Sequence, residues 1–186
     1  MEIIERIRQF VEDECRKSTS KYGFEPYGNH FVPVVKYAKL LAQETGADEE
    51  VVEIAAWIHD IGSIMYGREA HHLTGARIAE EKLREFGYPE ERISLVRDCV
   101  LHHRGSRGSE PQTIEEQIVA EADSISAFDN IEGIFKAALV YEKMTQDEAR
   151  ISVLNKMTNK WNQLRFEKSK EVINPKYKAV RILLER

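Results

Sequence analysis

The sequence predicts an all-α fold: a single multi-helix bundle over residues 1–186, with its core in about 25–130 and a helical extension at 131–186 packed on that core. Three observations support this. Apolar residues recur at helical spacing in almost every stretch, beginning with Ile3, Ile4, Ile7, Phe10 and Val11. Nothing alternates convincingly with period two, so little or no sheet is expected. Helix stops such as Gly46 and Gly87 fall where the apolar stripes end.

The elements follow in order. After the first stripe, KYGFEPYGN reads as a loop, with two glycines and a proline. Asn29 is placed to cap a helix carrying Phe31, Val34, Val35, Ala38, Leu41 and Ala42, which Gly46 stops. Asp48 caps a third helix, Val51 to Ile58, that ends near Gly62. A fourth begins around Ala70 and runs to Gly87. Pro89 opens a fifth, which continues through Ile93, Val96 and Val100 to His103. RGSRGSEP then reads as the most flexible loop of the chain. Ile114, Ile118, Val119 and Ala122 carry a sixth helix through Asp123, and helices are expected over 130–143, 146–170 and 176–185.

Composition narrows the function classes. With 42% hydrophobic and 32% charged residues over 186 positions, the chain is globular and the size of one ordinary domain. A formal net charge of -5 argues against a broad basic footprint for long nucleic acid or a membrane surface, though not against a small basic pocket. No run of about 18 apolar residues offers a membrane span. The segment MEIIERIRQF is charged from its second residue and lacks an apolar signal core. Cys15 and Cys99 are far apart, have no CxxC partner and read as buried thiols, which suits a reducing, cytoplasmic location.

Two histidines point inward. At 100 degrees per residue, Leu41 lies about 20, Val34 about 40 and Ala38 about 80 degrees from His30. Around His59, Val52 lies near 20, Ala55 near -40 and Ala56 near 60 degrees. A lone inward histidine is ordinarily a neutral core imidazole. Aspartates at the ends of apolar helices are harder to accommodate, because an ionised carboxylate in an apolar interior needs a positive partner. Asp60 follows His59 directly, and Asp123 ends the sixth helix. Two imidazoles and two carboxylates, with no thiolate, suit manganese, iron, cobalt, nickel or zinc, with magnesium also open, rather than a structural zinc site.

His30, then His59-Asp60, then Asp123, on successive helices, resembles the H…HD…D signature of the HD-domain phosphohydrolases. LAQETGADEEVVEIAAWIHDIG (41–62) resembles that superfamily's central helix pair, and AEADSISAF (120–128) its closing Asp motif. The resemblance covers roughly residues 25–130. AHHLTGARIAEEKL (70–83) and VLHHRGSRGSEP (100–111) add His71, His102 and His103, similar to the extra histidines of two-metal members such as HD-GYP phosphodiesterases and symmetrical diadenosine-tetraphosphate hydrolases. No GYP tripeptide follows, and the step from Asp60 to His71 is short. His102 and His103 point about 100 degrees apart, so one is expected as a ligand and the other behind it.

The resemblance implies one or two divalent metals on His30, His59, Asp60 and Asp123, joined by His71 and by His102 or His103. A metal-activated hydroxide would attack phosphorus, with Asp60 bridging any metal pair and His59, Asp60 and His103 at the reacting centre. Arg104 and Arg107 are the candidates for holding phosphate. The expected substrate is a small phosphorylated metabolite, foremost a nucleotide, and a homodimer stays open. Alternatives are a di-iron oxygenase on the same ligand plan and a non-catalytic nucleotide sensor. No Walker loop, GxGxxG or GxSxG motif competes. Lys156, Lys160, Lys168 and Lys170 alternate with glutamates and read as a solvated face, one that can also rim the pocket.

Overall fold

The computed structural model describes residues 2–104 and 110–185. Among them there is no strand, and the helices are α1 (Ile3–Arg16), α2 (Val32–Thr45), α3 (Glu49–Ile58), α4 (Ile61–Tyr66), α5 (His71–Glu85), α6 (Glu90–His102), α7 (Ile114–Ser126), α8 (Ile131–Lys136), α9 (Gln146–Asn162) and α10 (Glu167–Leu184). Helix α3 is the hub. It buries Val51, Val52, Ile54, Ala55, Ala56, Trp57 and Ile58, so beyond its first turn it is apolar nearly all round, Glu53 on Lys39 excepted, and must be surrounded. Helices α1, α2, α6 and α7 pack around it. Helix α5 lies against α6, α9 pairs with α10, and both α9 and α10 reach α7. One apolar cluster runs from Ile7 to Val180, so the C-terminal helices share the core.

The caps explain several boundaries. The Asp48 carboxylate accepts from Val51 N at 3.1 Å and starts α3. Gly46 takes the left-handed conformation, with φ 71°, that closes α2. Thr145 and Glu148 form a reciprocal capping box at the start of α9.

Four expectations need correction. Asn29 caps nothing: helical backbone begins at Glu25 and Pro26, and Asn29 lies inside a widened π turn, Tyr27–Phe31, that runs into α2. Proline in a first turn has no amide to leave unpaired, which favours this earlier start. Helix α3 stops at Ile58, and α4 occupies the stretch read as its end. The helix expected over 146–170 breaks between Asn162 and Glu167. The last helix starts at Glu167 rather than 176 and carries Pro175 in its interior, at the cost of one backbone hydrogen bond.

Candidate metal centre

Each inward side chain is delivered by a different feature of the bundle. His30 sits in the π turn, a local widening often found at functional sites. His59 closes α3 and is fully buried. Asp60 occupies the junction of α3 and α4, with φ -106° and ψ 14°, so it belongs to neither helix cylinder. His71 opens α5, His103 ends α6, and Asp123 lies on α7.

These side chains converge on Asp60. Its Oδ1 lies 3.1 Å from His71 Nε2 and 3.5 Å from His103 Nε2. Its Oδ2 lies 3.3 Å from His30 Nε2 and 3.9 Å from His59 Nε2. The His30 and His59 Nε2 atoms are 3.0 Å apart, and Asp123 Oδ1 is 3.7 Å from His30 Nε2. Two ligand groups result, His30–His59–Asp60 and Asp60–His71–His103, and they share Asp60.

The backbone fixes how the imidazoles present themselves. His59, His71 and His103 each donate Nδ1–H to the carbonyl three residues earlier, on Ala56 at 2.9 Å, Arg68 at 2.8 Å and Val100 at 2.6 Å. A carbonyl only accepts, so in the neutral ring the Nε2 lone pair must face the cluster. Lone pairs then meet a carboxylate, which needs a cation between them, either a proton on a ring or a metal. Asp60 Oδ1 is buried and has no hydrogen-bond partner, although two ring nitrogens approach it. The nitrogens converge on this oxygen as ligands round an ion would, so the residues fit a divalent metal.

The electrostatics agree. Burial drives the His59 pKa down to about 4, against a smaller upward pull from Asp60, so this ring is neutral at ordinary pH. The interior would raise the Asp60 carboxyl, but contact with His103, His30 and His71 outweighs it and holds the group well below the usual range. For Asp123, burial is outweighed by Lys160, then by His30 and His59, and the carboxyl again falls low. His103 goes up, because the Asp60 contact overcomes burial.

Glycines bring the elements close enough. A Cβ on Gly62 would collide with the His71 carbonyl oxygen and with Thr74 Oγ1, and would sit 2.7 Å from Gly75 N. A Cβ on Gly75 would press on the His59 carbonyl and Val100, both at 3.3 Å. These bare backbones let α4 and α5 meet, which places His71 on Asp60.

His102 stands apart from both groups. Its Nδ1 meets Glu116 Oε2 at 2.6 Å, because its ring turns away from the face His103 uses. Arg104 Nη1 lies 3.4 Å from His72 Nδ1 at the edge of the cluster. Arg107 is outside the described residues. The reading of Lys160 as part of a solvated face is corrected. Its ammonium lies 3.2 Å from Asp123 Oδ2 with the side chain 18% exposed, because α9 packs on α7 and turns this residue inward.

The HD-domain family model matches residues 27–127, more than half of the chain. This chain belongs to the HD-domain family. Its converging residues all fall within the matched stretch, apart from Lys160. Among similar proteins, a tRNA (cytidine(56)-2'-O)-methyltransferase of Thermoplasma volcanium is 31% identical over 160 residues, 78% of this chain and 46% of that protein. Ribonuclease Y of Rubrobacter xylanophilus is 35% identical over 113 residues, 60% of this chain and 20% of that protein. The chain thus spans less than half the length of either relative. Bacillus subtilis YpgQ, solved in complex with ADP, shares the fold at a TM-score of 0.72 and 20% identity, covering 97% of this chain and 95% of that one. Among the described residues of this HD-domain chain, no helix is long and apolar enough to cross a membrane.

Proposed function

We propose that this HD-domain protein is a metal-dependent phosphohydrolase acting on a phosphate ester or phosphoanhydride of a nucleotide or similar small metabolite. One observation carries the reading: three histidines are locked by backbone carbonyls so that their Nε2 atoms converge on Asp60, whose Oδ1 has no hydrogen-bond partner. His30, His59, Asp60 and Asp123 would hold one ion, and Asp60, His71 and His103 a second, with Asp60 shared. Nitrogen and oxygen donors without thiolate favour manganese, iron, cobalt, nickel or zinc, with magnesium open. Bound there, the metals supply Lewis-acid polarisation of a phosphoryl oxygen and a water of lowered pKa.

The chain's own side chains do the rest. Asp60 sets the spacing of the two ligand groups, and its shared carboxylate limits the positive charge of the centre. The neutral His59 keeps a lone pair available near pH 7. Arg104, beside His72, offers a planar fork to phosphoryl oxygens. His102, tied to Glu116, belongs behind His103 and Arg104 rather than among the ligands. Similarity to a Ribonuclease Y, and the fold shared with a protein solved with ADP, both favour chemistry at phosphorus.

The test is metal analysis of the purified protein, with a panel of nucleotides and phosphate esters assayed under manganese, cobalt or magnesium. One or two ions per chain with release of phosphate or pyrophosphate is the expected result. Bound iron with oxygen uptake and no phosphate release would replace the reading with an oxygenase. Tight nucleotide binding without turnover would replace it with a sensor.

A further inference from the structure

The α9 side of the centre holds cations with too few anions. Lys156 and Lys160 are one turn apart on α9 and share a face. Lys160 is held on Asp123 at 3.2 Å. Lys156 is half-buried and has no ion-pair partner among the described residues, and neither has Arg68, in the loop between α4 and α5. The stretch 105–109 reads GSRGS and brings no carboxylate. Burial, then Arg68 and Lys160, hold the Lys156 ammonium below its ordinary pKa, and Glu142 and Asp123 offset only part of this. Lys21, Lys36, Lys143 and Lys178 also lack a carboxylate among the described residues but stand exposed to water, whereas Lys156 is half-buried. Arg68 borders the same centre, since its carbonyl accepts from His71 Nδ1 at 2.8 Å. A half-buried ammonium with a second one turn away is costly by itself, and a bound anion removes that cost.

We propose that Lys156, Lys160 and Arg68 form an anion subsite beside the Asp60 cluster, for a phosphoryl group beyond the one that reacts, so that the substrate carries at least two phosphoryl groups. This rests on the phosphohydrolase reading and deepens it. Lys156 and Lys160 lie outside the family match at 27–127 and Arg68 inside it, so the C-terminal helices supply two of the subsite's three cations. A monoester, held at the metal ligands, leaves Lys156 uncompensated. A diphosphate places a second anionic group within reach of the α9 ammoniums, and Arg68 adds a fork suited to its oxygens. Lys160, fixed on Asp123, ties the subsite to the centre.

Calorimetry of the metal-loaded protein with inorganic pyrophosphate and inorganic phosphate tests this, in the wild type, Lys156→Met and Arg68→Met. The wild type should bind pyrophosphate at least about tenfold more tightly than phosphate, and each variant should lose about tenfold for pyrophosphate, the worth of one charge-assisted contact. Phosphate affinity should change much less. Equal wild-type affinities, or a loss shared by both ligands, would overturn the subsite. Thermal melts check each fold, and exposed Arg68 supplies a variant that leaves packing alone if Lys156→Met does not fold. Monoester hydrolysis without a pyrophosphate preference sinks the subsite and leaves the hydrolase. A pyrophosphate preference lost in both variants, without any turnover, does the reverse.

Discussion

At the residue scale, Asp60 and His103 separate ligand roles from structural ones. Asp60 touches four imidazoles, and Asp60→Asn keeps its shape while removing the charge the ligand set is built around. The variant should lose both metal and activity, read by metal analysis and turnover; retention of both would remove Asp60 from the centre. The adjacent histidines give a sharper contrast. His103→Ala should lower the metal count from two to one, whereas His102→Ala should leave it at two, since His102 is engaged by Glu116. Equal effects would mean that the two rings are not divided as the structure divides them. The stripe of Val96 and Val100 already favours His103, which lies about 20 and 60 degrees from them while His102 lies about 120 and 160 degrees away; what the stripe does not show is Glu116, brought by α7, taking His102. Lys160 was misjudged for a similar reason: alternation with glutamates describes a helix face and says nothing of which helix later covers it.

At the element scale, the centre depends on how tightly α4 and α5 meet. Gly62→Ala puts a methyl against the His71 carbonyl and Thr74, neither of which is a freely moving side-chain tip. Overpacking of this kind typically costs about 1–3 kcal/mol. The more telling effect is on metal: α5 must withdraw, so the Asp60–His71–His103 group should weaken before the other. Titration should show the second ion lost first; loss of both together, or of neither, would break the link between the glycine contact and His71. The helices themselves were largely legible, because stripes, Asp48 and Gly46 act locally. The π turn, the break at Asp60 and the interior Pro175 were not. Each breaks a local preference and is held by packing, and single-sequence periodicity cannot see packing.

At the scale of the whole molecule, the centre joins helices from α3 to α7 with the turn before α2, and α9 reaches it through Lys160. Any ion bound only by the native state therefore stabilises the bundle as a unit, by about 2.7 kcal/mol at a hundredfold excess over Kd. Chelation should lower Tm as well as abolish activity, and an unchanged Tm would mean the ligands hold nothing. In the chelated protein the protons then compete for the same nitrogens. His59 has a folded pKa of about 4 against an ordinary 6.5, so the unfolded chain takes its proton first as pH falls. Its contribution is complete above the unfolded value and is lost downward through the window from 6.5 to 4, at about 1.4 kcal/mol per pH unit. His103, with its raised pKa, opposes this, and the lowered Asp60 and Asp123 add their loss only further into acid. The His59 share is isolated by comparing wild type with His59→Gln. The variant's Tm should fall less steeply across that window; parallel slopes would mean that His59 is not the buried neutral ring from which the lone-pair geometry of the centre follows.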